Sequence, residues 1–123
     1  MPKYLLIQNY EGGRGCDTPM GEWDPADIRA HIDFQVALDA DLTAAGELVD
    51  SQGVGQDGTV VISDGRTATT AAAGGKLLAG YRVVDVDSEQ RAVQIAARSS
   101  AAPGLGGVPL QQPIEVRHVM RAP

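Results

Sequence analysis

The sequence predicts an α+β fold, an antiparallel sheet with two helices on one face. Three observations carry this prediction. Strand-type and helix-type segments alternate along the chain, both helical segments open on a capping residue, and a Thr/Val-rich stretch is broken at Asp64-Gly65, a dipeptide suited to the positive φ of a tight hairpin.

Residues 3–9, KYLLIQN, alternate into Tyr4, Leu6 and Gln8 on one face and Lys3, Leu5, Ile7 and Asn9 on the other, and their apolar content predicts a central strand. Residues 11–22 are glycine-rich, with Arg14, Asp17 and Pro19 interspersed, so a long loop is expected there. Asp24 and Pro25 read as N-cap and first helical residue, Asp27 suits the positive end of the helix dipole, and the helix should run over 25–45 and stop at Gly46. Its buried stripe reads as Ile28, Ile32, Leu38 and Leu42, with Phe34 and Ala45 at the edge and Gln35 inside it.

A short strand at 47–51 leads through Gly53 and Gly55 into the hairpin, and 78–87 reads as the next strand. Ser88 caps a helix over 88–100 whose apolar stripe is Ala92, Val93, Ile95 and Ala96. A loop rich in Ala, Gly and Pro precedes a last strand, 114–120, with Ile114, Val116, His118 and Met120 on one face and Glu115, Arg117 and Val119 on the other. Strand, helix, strands, helix, strand is the ferredoxin-like order. Its uncovered sheet face must be buried by something, and a second copy of the chain is the economical answer.

At 123 residues the chain is expected to form one domain over 1–123. Ten Lys and Arg against sixteen Asp and Glu, a net charge of -6, argue against nucleic acid or an anionic membrane surface as partners. The lone Cys16 excludes an internal disulfide and fits a reducing, cytoplasmic setting. The first apolar run is too short for a signal-peptide core, and no stretch approaches the roughly 18 apolar residues of a membrane span. His31, His118 and Cys16 would have to converge from three separate elements to hold a metal, and Gly74-Gly75-Lys76 lacks the spacer and the Ser or Thr of a phosphate loop. Neither a metal nor a cofactor is expected.

His31 and Gln35 are four apart on the first helix, so their side chains stack on one flank and could act on one bound group; alternatively His31 is half exposed and Gln35 satisfies a backbone group. Tyr81 shares a strand face with Asp85 and Asp87 while Arg82 points the other way. The phenol of Tyr81 could donate to an oxyanion, or simply pack with its hydroxyl at a rim. Arg82, Arg117 and Lys76 are the cations suited to a carboxylate, each with a surface ion pair as the plainer reading. His118 could be a base or a rim residue, and Trp23 a pocket cap or a staple on the first helical turns. Cys16 has no histidine near it in sequence to make a thiolate.

In this order, KYLLI at 3–7, DLTAAGELVDSQG at 41–53, LLAGYRVVDVDSEQRAVQIAAR at 77–98 and PIEVRHVM at 113–120 resemble the YCII-related family, specifically its DGPF-domain branch, over nearly the whole chain. The departure falls on the motif that names the branch. Where the family has an Asp-Gly-Pro-Phe turn followed by Glu-Thr-Lys-Glu, this chain has Ala71-Ala72-Ala73-Gly74-Gly75-Lys76, so the loop carboxylates are missing. The resemblance implies a homodimeric α+β barrel in which two sheets meet around small-molecule sites. The expected site is lined by Tyr4, Gln8, His31, Gln35 and Tyr81, with Arg82 available to a carboxylate. It also implies cofactor-free isomerisation or elimination on an unsaturated carboxylate or cyclic ketone, with His31 as base and Tyr81 as oxyanion donor. Gln35 falls where relatives often carry a histidine, and glutamine is no useful base at neutral pH. The alternative is a non-catalytic binding or regulatory module that keeps the barrel without the carboxylates.

Overall fold

A computed structural model describes residues 2–10, 18, 20–73 and 77–121 of the chain. Cys16, Lys76 and the Gly74-Gly75 pair lie outside the described residues, as does most of the glycine-rich loop at 11–22. The class is α+β. Strand β1 (Lys3–Asn9) is followed by helix α1 (Pro25–Ala44), strand β2 (Leu48–Gly53), a small hairpin of β3 (Thr59–Val61) and β4 (Thr67–Thr69), and a single helical turn α2 (Thr70–Ala73). Strand β5 (Leu78–Asp85), helix α3 (Glu89–Ser100) and strand β6 (Ile114–His118) complete the order. Four strands form one antiparallel sheet in the order β2-β5-β1-β6, and β3 and β4 form a second sheet of two strands. Each long helix therefore joins two strands that have one other strand between them.

Local chemistry sets the helix ends. Pro25 occupies the first turn of α1, where its missing N–H costs nothing. At the other end the N–H of Gly46 donates to the carbonyl of Thr43 (3.0 Å) and that of Glu47 to Leu42 (2.9 Å), a Schellman closure that needs the φ of +73° found at Gly46. Ser88 caps α3 by accepting from the N–H of Arg91 at 3.2 Å. The hairpin differs from the two-residue turn expected. Gly65 donates to the carbonyl of Ile62 and Ile62 to that of Arg66, so the loop has three residues and only Gly65, at φ +88°, is left-handed.

One sheet face meets both long helices. Tyr4 and Leu6 of β1 and Val84 of β5 join Leu38 and Leu42 of α1 and Ala92, Ile95 and Ala96 of α3 in a single core, with Ile114 and Val116 packed against it. Burying a leucine such as Leu38 or Leu42 contributes about 2 kcal/mol. Small residues at Ala92, Ala96 and Ser99 bring α3 down close to the sheet. The opposite face carries Leu5, Ile7 and Val83, half-buried, beside Tyr81 and Asp50.

Two stripe assignments are corrected. On α1, Ile32 and Val36 are exposed and His31 is buried, so the inward stripe is His31, Phe34, Leu38 and Leu42. The rotation follows from polar partners: His31, Gln35 and Asp39 all find hydrogen bonds beneath the helix, whereas Ile32 does not need any. On α3, Val93 is exposed and Ser99 takes the inward place expected of an apolar residue.

Candidate functional site

The helix-facing side of the sheet can be read in rows from β2 to β6. Leu48, Val84, Tyr4 and His118 form one row, Ser51, Arg82, Leu6 and Val116 the next, and Gly53, Gly80, Gln8 and Ile114 the third. From the first two rows Val84, Tyr4, Arg82 and Leu6 are buried under the helices, and Ser51, Arg82 and Leu6 also border the open space beyond. In the third, two glycines leave bare backbone, and a cleft of about 490 Å³ opens there between α1 and the sheet. Gly80 is required by more than the cleft, because a Cβ there would stand 2.8 Å from the carbonyl oxygen of Gln52. A β-bulge at Val49 keeps Leu48 and Ser51 on the same inner face.

The roof is a ladder on α1. His31, Gln35 and Asp39 follow one another at four-residue steps and all border the cleft. Arg82 rises from the sheet to meet them and is buried. Its Nε donates to Asp39 Oδ1 (2.7 Å), Nη1 to Ser99 Oγ (2.9 Å) and Nη2 to Gln35 Oε1 (2.6 Å). One guanidinium thus ties β5 to both long helices. Arg82 is therefore not the surface ion pair that the sequence suggested as its plainer reading.

His31 is fixed from behind. Its Nδ1 lies 3.0 Å from the carbonyl oxygen of Pro103, and its ring meets Trp23 edge-on at 5.9 Å. A carbonyl can only accept, so Nδ1 carries the proton and Nε2 is the acceptor of the neutral ring. Trp23 is buried, with Nε1 donating to the carbonyl of Thr18 at 2.8 Å, so it backs the histidine instead of capping a ligand. On the far wall Gln8 Nε2 donates to Gln112 Oε1 (2.6 Å), whose own Nε2 donates to the carbonyl of Asn9 (2.6 Å). Tyr10, Met20 and Val54 form the rim, with the Tyr10 hydroxyl donating to the carbonyl of Val54.

Five of the six site residues expected from sequence border this cleft: Gln8, His31, Gln35, Tyr81 and Arg82. Two do not bring their polar groups to it. Tyr4 packs in the core with its ring 5.2 Å from that of His118, away from the cleft. Tyr81 borders the cleft from its strand, yet its hydroxyl donates to Asp50 Oδ2 (2.9 Å) on the other sheet face, so the sheet separates this phenol from His31. The hydrogen bond from Tyr81 is the main cause holding the Asp50 carboxyl below its ordinary range, and the same bond holds the Tyr81 phenol above its own. Arg117 is exposed and pairs with Glu115 at 3.7 Å, and His118 is exposed at the far end of the sheet.

Sequence reasoning missed Asp39 and Ser99. Asp39 was legible as the next step of the His31, Gln35 ladder, and Ser99 as a polar residue on the apolar stripe of α3. Among the described residues no three His, Cys, Asp or Glu side chains converge as a metal site would require, and no helix is long and apolar enough to cross a membrane.

No protein-family model matches the chain. No curated protein matches it in sequence either.

Proposed function

We propose that this chain binds a small organic molecule in the cleft between α1 and the sheet, as a ferredoxin-like protein of the YCII-related type. The observation that carries this reading is the third row of the sheet. Gly53 and Gly80 withhold side chains where the fold would otherwise fill its core, and three polar side chains of α1 stand over the gap. The strand order β2-β5-β1-β6, with both long helices on one face, is the arrangement expected of that fold. The opposite face, with Leu5, Ile7 and Val83 only half-buried, is where a second copy would pack to give the two-sheet barrel. The single cysteine fits a cytoplasmic setting for such a protein.

The test is to block the cleft without breaking the strand. A Cβ at Gly53 meets nothing closer than the Ala79 carbonyl oxygen at 3.9 Å, so Gly53→Leu should fold and fill the space. A panel of small ketones, amides and unsaturated carboxylates is screened by native mass spectrometry of wild type and variant. Adducts formed by wild type and lost in Gly53→Leu support the reading; adducts retained at equal occupancy, or none with any compound, sink it.

A second reading, cofactor-free proton transfer, is favoured by one observation: Pro103 fixes the tautomer of His31 and leaves Nε2 as a positioned base. In that reading the oxyanion donor is the Gln35 amide, since the phenol of Tyr81 is on the other face. Solvent deuterium exchange into a bound ketone, lost in His31→Ala, would separate it from simple binding.

A further inference from the structure

We propose that the cleft takes an uncharged ligand carrying both hydrogen-bond donors and an acceptor, of carboxamide type, and discriminates against the corresponding carboxylate; this rests on the reading of the cleft as a ligand site. Among the described residues that border it, Arg82 and Asp39 are the only acidic or basic side chains besides His31, and they pair with one another at 2.7 Å. The guanidinium edge that would grip a carboxylate is already spent on Asp39, Ser99 and Gln35. An entering carboxylate would lose water, gain no fork, and meet the negative charge of Asp39.

The hydrogen-bond chains also fix the polarity of what remains. Arg82 can only donate, so the oxygen of Gln35 faces it and Nε2 is left as a donor. Gln112 must donate to the Asn9 carbonyl, so its oxygen takes the Gln8 N–H and Gln8 Oε1 is left as an acceptor. His31, donating through Nδ1 to Pro103, is left with Nε2 as an acceptor. One donor and two acceptors match a primary carboxamide: its carbonyl accepts from Gln35, and its two N–H groups serve Gln8 and His31. Leu6, Ile114 and Met20 supply apolar wall for the rest of the molecule.

Two matched pairs test this, benzamide with benzoate and nicotinamide with nicotinate, titrated into the full chain and followed by backbone amide NMR shifts. Within each pair shape is nearly constant and charge is not. The expected result is amide binding tighter than acid by at least about tenfold, with shifts at the cleft that Gly53→Leu abolishes. In Asp39→Asn, Arg82 loses its counter-charge, and the acids should gain about tenfold over wild type. Acids binding the wild-type cleft as tightly as amides would overturn the proposal and leave the ligand site standing. No cleft shift with any of the four would overturn both. The wild-type comparison decides the matter even if the Asp39 variant does not fold.

Discussion

Arg82 donates its Nε–H to Asp39 Oδ1 at 2.7 Å from beneath the helix that carries Asp39, and it does so with only a small fraction of its surface exposed. A buried guanidinium with its partner removed is costly, whereas a pair replaced by apolar groups is often neutral. Asp39→Ala should therefore destabilise the chain by about 3 kcal/mol, and the double variant Arg82→Met with Asp39→Leu should recover most of that loss. Urea midpoints for the single and double variants measure both. Equal losses in the two would show that the cost does not come from the guanidinium left without its partner.

Glu47 and Arg91 pair on both carboxylate oxygens at 2.8 and 2.7 Å, and the hydrogen bonds from Arg91 hold the Glu47 carboxyl below its ordinary range. A group with a lowered folded pKa binds fewer protons folded than unfolded, so its stabilisation is present above the ordinary carboxylate range. It is lost as pH falls through the folded value. Glu47→Gln should be less stable at neutral pH and should show a shallower loss on acidification than wild type, read from thermal midpoints across the acid range.

Tyr81 gives the opposite sign. Its raised phenol pKa means that stabilisation through Asp50 is present below the ordinary tyrosine range and lost as pH rises through the folded value. An ultraviolet titration should show a tyrosine component that ionises late, and Asp50→Asn should bring that component back toward the ordinary tyrosine range.

Gly80 and Gly53 face one another across β5 and β2 but should tolerate alanine differently. At Gly80 the new methyl meets backbone at 2.8 Å, and overpacking of this kind costs about 1–3 kcal/mol. At Gly53 the contact is an ordinary 3.9 Å, and the change should stay within about 0.5 kcal/mol. Denaturant midpoints that rank the two the other way would contradict the strand geometry.

Gly46 separates strain from crowding. An added Cβ there meets nothing within 4 Å, yet φ is +73°, so Gly46→Ala should cost about 1 kcal/mol from the backbone alone. Gly46→Asn, better suited to the left-handed region, should cost less in the same unfolding measurement.

Local signals read well from sequence and tertiary choices did not. Asp24-Pro25, Gly46 and Ser88 mark helix ends because these are settled by neighbours in the chain, although only Ser88 caps through its side chain and Asp24 makes no such hydrogen bond. The phase of α1 was not legible, because Ile28, Ile32 and Val36 offer a second apolar row beside Phe34, Leu38 and Leu42. What turned the helix was the demand of Arg82 and of the Pro103 carbonyl for polar partners, contacts that span 43 residues to Asp39 and 72 residues to His31. Alternation correctly put Tyr81 and Arg82 on opposite faces of β5. It could not say which face the helices would cover, and that choice decides which of the two reaches the cleft.

The strand order also governs how the chain can be made. Strand β1 precedes both of its neighbours in the chain and sits in the interior of the sheet, between Leu78–Asp85 on one side and Ile114–His118 on the other. Neither neighbour exists until most of the chain has been translated, so Leu5, Leu6 and Ile7 must wait in a nascent chain with both edges open. Any product that stops short of Ile114 keeps one of those edges exposed. Such fragments are substrates for chaperones, and at high concentration they are seeds for edge-to-edge aggregation.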